Sequence, residues 1–164
     1  MNKLKLVIHG TPKPKQSVRS GVVYGKDGQP VKFIDKNTGK ERILQTKFQP
    51  KEAVENEKSI KLEVLSQLPQ GFKPFSGPVR VNKLHFVFPP LKTFPKKKMK
   101  LIEMGAKIYK DKKPDLMDNL NKGLFDALEG IVYLNDSQIV SSNNMEKYFG
   151  LQPRIEIELE EIVN

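Results

Sequence analysis

Apolar and polar residues alternate at the start of the chain, with Leu4, Leu6 and Ile8 set against Lys5, Val7 and His9. This period of two predicts a first strand over residues 4–9. Two prolines and no periodicity in Gly10-Thr-Pro-Lys-Pro-Lys-Gln-Ser-Val-Arg19 then give a cationic loop. Residues 22–24 and 31–34 read as a hairpin turning at Asp27-Gly28, and residues 42–48 as another extended stretch after a turn at 35–40. Pro50 opens a helix to about Leu68, with Ala53, Ile60, Val64, Leu65 and Leu68 at roughly helical spacing. A Pro- and Gly-rich linker at 69–78 leads into an alternating run at 79–88, the expected central strand. A short cationic helix at 96–104, a helix from Asp115 to Glu129 and two last strands near 137–149 and 154–162 complete the reading. The order predicts a mixed α/β (α+β-like) fold, a mixed sheet flanked by helices.

At 164 residues the chain is expected to form one domain, 1–164. It holds no cysteine, which excludes a disulfide scaffold, cysteine-containing zinc sites and a thiol nucleophile. No apolar run approaches the ~20 residues that span a bilayer, and the opening MNKLKLVIHG lacks a signal-peptide core, so a cytoplasmic location is expected. Lys and Arg number 29 against 19 Asp and Glu, a net charge of +10 that favours a polyanionic partner, nucleic acid first. Its distribution says more. Residues 1–113 carry +17, whereas 114–164 carry −7. Glu156, Glu158, Glu160 and Glu161 read as the wet face of a strand. Asp115, Asp118, Asp126 and Asp136 lie among different neighbours.

On an α-helix from Asp115, the side chains of Asp115, Asp118, Lys122 and Asp126 fall within an arc of about 80°. Leu116, Leu120, Leu124, Ala127 and Leu128 take the opposite, core-facing side. Capping by Asp115 and ion pairs of Lys122 with Asp118 and Asp126 would explain this face on any solvated helix. Asp136, however, follows the glycine turn at Gly130, where the chain can fold back toward the helix. Carboxylates from two neighbouring elements amid cationic loops suit a hard, oxygen-seeking metal such as Mg²⁺, and a nearby lysine suits phosphodiester hydrolysis.

The runs Lys113-Pro-Asp115-Leu-Met-Asp118-Asn119-Leu-Asn-Lys122, Asp126-Ala-Leu-Glu-Gly130 and Asn135-Asp136-Ser-Gln138-Ile139 resemble the RusA family of Holliday-junction resolvases. The resemblance spans Lys112 to Ile139, with a weaker echo in the basic stretch 10–19. It implies that Asp115, Asp118 and Asp136 are metal ligands, that these three and Lys122 are catalytic, and that Mg²⁺ (or Mn²⁺ in its place) is the cofactor. It further implies a homodimer that cuts four-way DNA by paired nicks in recombination and repair, an enzyme type frequent in phages and prophages. Lys13, Lys15, Arg19, Lys96, Lys97, Lys98, Lys112 and Lys113 would then track phosphates.

This chain departs from the family pattern twice. Leu116 and Met117 both stand between the first two aspartates, where the family has one residue, an insertion that an earlier helix start would absorb. Asn135 replaces the first Asp of an Asp-Asp pair and could bind a water or offer its carbonyl. Competing readings are a non-catalytic nucleic-acid-binding protein whose acidic helix is a dimer surface, and a broader nuclease of flaps and forks. His9 and His85 are expected to be structural, and Phe72, Phe75, Phe88 and Phe94 to be core residues.

Overall fold

The computed structural model describes residues 2–15 and 19–163. In chain order the elements are β1 (Lys3–His9), β2 (Arg19–Val22), β3 (Lys32–Ile34), β4 (Glu41–Ile43), β5 (Gln45–Phe48), α1 (Lys51–Gln67), β6 (Val79–Phe88), α2 (Lys96–Glu103) and β7 (Ile108–Tyr109). A π-helical turn (Leu116–Asn121), α3 (Lys122–Leu128), a 3-10 turn (Asp136–Gln138), β8 (Ile139–Ser142), β9 (Met145–Phe149) and β10 (Arg154–Glu161) follow. The chain divides into two compact units, residues 1–15 with 56–164, and residues 16–55.

The larger unit is built on a mixed sheet in the order β1-β10-β6-β9-β7, with β8 also paired to β6. Strands β1, β10 and β6 are mutually antiparallel, whereas β8 and β9 run parallel to β6. The alternation anticipated for β1 decides its two faces: Leu4, Leu6 and Ile8 are buried beside Ile155, Ile157 and Leu159 of β10. The glutamates between them point outward, where Glu158 pairs with Lys5, Glu160 with Lys3 and Glu156 with Lys83. Exposed pairs of this kind each contribute little, about 0–1 kcal/mol, so the apolar face holds the strands. β6 is buried on both faces from Leu84 onward, as a central strand must be. α1 lays Ile60 and Val64 on the core, while Leu65 stays outside it. Its Gln67 amide bonds both the N–H and the C=O of Val7, at 3.0 and 2.7 Å, and Glu63 accepts from His9 N. Helix side chains thereby satisfy the free edge of β1, which would otherwise pair with other chains.

The smaller unit is a ribbon. β2 pairs antiparallel with β5, and β3 with β4, while Leu44 links the pairs through bonds to Val23 and Val31. The hairpin turn falls where Asp27-Gly28 places it, with Gly28 at φ +75°. A second turn at 35–40 is held by Asp35, whose Oδ1 accepts from Asn37 and Thr38 N–H.

Three expectations need correcting. The helix from Asp115 is not continuous α-helix: its first turn is a π turn, in which Leu120 N–H bonds the carbonyl of Asp115, five residues back. The extended stretch 137–149 is broken into two strands at Asn143–Asn144, where Asn144 takes a left-handed φ of +49° and interrupts the ladder while the chain keeps its direction along β6. β7 is too short to leave a periodic signal and was not expected. Both histidines make local bonds, His9 with Glu63 and buried His85 with Asn144 and Tyr148. Phe75 and Phe88 are buried, and Phe72 and Phe94 pack against the core.

Candidate metal centre

α3 ends at Leu128 with Glu129 as its cap, and Gly130 at φ +75° reverses the chain. A side chain at that φ would be strained, so glycine is the residue the turn requires. The reversal runs through Tyr133, fully buried, whose hydroxyl donates to the Phe125 carbonyl at 2.7 Å. Burial pushes the Tyr133 phenol far above its ordinary range, and the charges of Asp136 and Glu129 push it the same way. It therefore stays a neutral donor throughout the physiological range.

Gln138 then fixes the loop that carries Asp136. Its carbonyl accepts from the backbone N–H of Leu134 and Asn135, at 2.7 and 2.8 Å. Its amide donates to the carbonyls of Phe75 and Gly77, at 3.0 and 2.9 Å. Both ends of one side chain are satisfied, and the loop is tied to the segment before β6. Asn135 closes a capping box on the 3-10 turn, its Oδ1 accepting from Ser137 N–H. The residue at this position thus works as a cap, with its amide 3.5 Å from Glu129.

The result is a group of three carboxylates. One ligand oxygen each from Asp126, Glu129 and Asp136 lies within 4.8 Å of the others. All three donors are hard oxygens, and three carboxylates with room for water fit Mg²⁺ or Mn²⁺. Lys15 reaches the same place: its ammonium is bonded to Asp126, and its backbone N–H to the Asn119 carbonyl. A Cβ on Gly123 would sit 3.2 Å from the Lys15 Cβ, so this glycine lets the loop lie against the helix.

Of the residues singled out from the sequence, the structure gathers Asp136 with Asp126 and adds Glu129, which stands in the Asp126–Gly130 run but was not assigned a role. Asp115 and Asp118 are outside that group. Asp115 is the cap of the π turn, its Oδ1 accepting from Met117 and Asp118 N–H at 2.9 and 3.1 Å. Asp118 and Lys122 are exposed on the same helix, and among the described residues neither makes an ion pair. The ion pairs of Lys122 with Asp118 and Asp126 that would explain this face on a solvated helix do not form among the described residues; Asp126 is bonded by Lys15 instead. The helix starts directly after the Asp115 cap, in a π turn that contains both Leu116 and Met117.

The chain matches the family model for the RusA endodeoxyribonuclease over residues 27–160. It belongs to the RusA endodeoxyribonuclease family. It is also similar to the uncharacterized protein YqaN of Bacillus subtilis (strain 168), at 25% identity over 99% of both chains. Among the other RusA-related positions, Lys13, Arg19, Lys96, Lys97, Lys112 and Lys113 are exposed. Lys98 is partly covered, its ammonium 4.0 Å above the Phe94 ring. Lys147 of β9 was overlooked in the sequence: its ammonium donates to the Lys112 and Pro114 carbonyls at 3.0 and 2.8 Å, on the segment entering Asp115. No helix is long and apolar enough to cross a membrane among the described residues.

Proposed function

We propose that this protein is a divalent-metal-dependent endonuclease that resolves four-way DNA junctions as a homodimer, one domain of 1–164 per subunit. The observation that carries the reading is the convergence of Asp126, Glu129 and Asp136 in a chain whose preceding helix carries the family-typical Asp118 and Lys122. Paired cuts across a two-fold junction call for paired sites, which a symmetric dimer supplies. A bound Mg²⁺ or Mn²⁺ would polarise the phosphate and lower the pKa of its water. Asp136 would supply a carboxylate oxygen to the cation, joined either by Asp126 and Glu129, which meet it in space, or by Asp118 and Asp115 of the family motif. Lys122, exposed on the same helix and without an ion pair among the described residues, would donate to the phosphate oxygens on which charge builds. The exposed lysines at 13, 96, 97, 112 and 113, with Lys15, Arg19 and Lys98, hold the DNA backbone without reading its sequence. This chemistry acts in recombination and repair in the cytoplasm, of a phage-carrying cell among others.

The test is incubation with a synthetic four-way junction, a flap, a fork and plain duplex, each with Mg²⁺ and with EDTA. Symmetric nicks on the junction, present with Mg²⁺ and absent with EDTA, are expected. Binding without cleavage would instead favour a non-catalytic DNA-binding protein, and equal cleavage of flaps and forks a broader nuclease.

Lys147 offers a finer check. It holds two carbonyls just ahead of Asp115, so Lys147→Met loosens that approach and is expected to slow single-turnover cleavage about tenfold. Junction affinity in EDTA should change by no more than about twofold, since the ammonium faces protein carbonyls. Lys147→Arg, which keeps a cationic donor, should recover part of the rate.

A further inference from the structure

The ribbon of residues 19–55 folds without a core of its own. No described residue in it is buried, yet Tyr24, Phe33, Ile34, Ile43 and Phe48 are each more than two-fifths exposed. Scattered apolar side chains on a surface need no explanation, but a group of this density on one small ribbon of two strand pairs marks a contact surface. The register shows what kind. Phe33 lies directly across from Arg42, and Phe48 directly across from Arg19. Cross-strand partners share a face of the sheet, so the ribbon twice sets an exposed ring beside a guanidinium. The Phe48 ring also lies along the ribbon over Gly21, where a Cβ would come within 3.0 Å of it. Arg42 is held by Asp35 through Nε at 3.0 Å, which orients the guanidinium while its side chain stays more than half exposed.

We propose that this ribbon is a binding surface for unstacked bases of DNA, with Phe33 and Phe48 stacking on bases and Arg42 and Arg19 holding the adjoining phosphates. The inference deepens the junction reading and rests on it, since a branch point is where duplex DNA offers unstacked bases. Charge decides between DNA and a second copy of the chain. Residues 19–50 carry seven Lys or Arg against three Asp or Glu, so two such ribbons repel one another and a polyanion is attracted. Lysine is also depleted from the centres of protein interfaces, whereas rings interleaved with cations are the pattern of sequence-tolerant single-strand binding.

The test uses the full-length protein in EDTA, so that binding is read without cleavage. The probes are an oligothymidine single strand, a four-way junction and plain duplex. Phe33→Ala/Phe48→Ala is expected to weaken oligothymidine binding about tenfold or more, to weaken junction binding less, and to leave duplex binding within about twofold. Phe33→Tyr/Phe48→Tyr, which keeps both rings, should bind as the parent does. Oligothymidine affinity of the alanine variant equal to the parent's would overturn the proposal. So would a change in its oligomeric state with single-strand affinity unchanged, which would make the ribbon a self-association surface. Cleavage by the parent protein is scored separately: failure to cut would count against the nuclease and leave this comparison readable.

Discussion

Asp136→Asn is expected to lower Mg²⁺-dependent junction cleavage on the order of 10²-fold or more. Asp136 belongs to both descriptions of the site, the carboxylates that meet in space and those that the family motif aligns. It is exposed at the start of a 3-10 turn whose cap is Asn135 and whose anchor is Gln138. Replacing the carboxylate with an amide of the same shape leaves those bonds in place, so the fold should be unaffected. Junction binding in EDTA should hold or tighten by no more than about threefold, because the change removes one negative charge from a surface that must meet phosphate. Asp118→Asn and Glu129→Gln divide the two descriptions. A loss with Asp118→Asn alone would place the cation toward the start of the helix, and a loss with Glu129→Gln alone would place it at the C-terminal end of α3. If Asp136→Asn cuts at the parent rate, neither set of carboxylates holds the catalytic metal.

The largest effect on stability is expected at Tyr133. Its side chain is fully buried, and its hydroxyl bonds the Phe125 carbonyl. Tyr133→Ala removes a large aromatic from a packed core and should cost about 3–5 kcal/mol, read as a lower urea midpoint at constant slope. Tyr133→Phe keeps the ring but leaves the Phe125 carbonyl without its donor, for a loss of about 1–3 kcal/mol. The distinction matters for the site. Tyr133 lies between Glu129 and Asp136 in the chain and is packed where α3 and the returning loop meet. Tyr133→Ala should therefore lower cleavage even at temperatures where it is fully folded, and Tyr133→Phe much less. Cleavage by folded Tyr133→Ala at the parent rate would show that the loop holds its place without the ring.

Much of the fold could be read from apolar periodicity, because its main strands bury one face. Leu4, Leu6 and Ile8 announce β1, and the two-faced burial of β6 follows from a run that is apolar at nearly every position after Leu84. The site was less legible, for three physical reasons. Glu129 reads as one more charged residue at a helix end, and only the turn at Gly130 brings it to Asp136. Lys15 is 111 residues from Asp126, and no local pattern reveals a loop laid across a helix at Gly123. Lys147 acts on backbone carbonyls, which carry no side-chain signature. Conversely, Asp136 and Gln138 were visible as a pair, but only the hydrogen bonds show that the glutamine anchors the loop while the aspartate faces outward.

The π turn at Leu116–Asn121 has a consequence for how the helix keeps its phase. Both ends of the segment are pinned, by the Asp115 cap before it and by buried Leu120 and Leu124 within and after it. An added residue in an ordinary helix would rotate everything downstream by about 100°, turning Asp126 away from Asp136 and Leu124 out of the core. By taking the extra residue into one wide turn, the helix resets its azimuth before Lys122. Within the same turn, the buried Oδ1 of Asn121 has no hydrogen-bond partner among the described residues. A wide turn of this kind lets the chain beyond it keep the phase it would have with one residue fewer. Deleting Met117 should then remove the bulge and leave α3 and its carboxylates facing the same way, a length change in the sequence that is silent in the geometry beyond it.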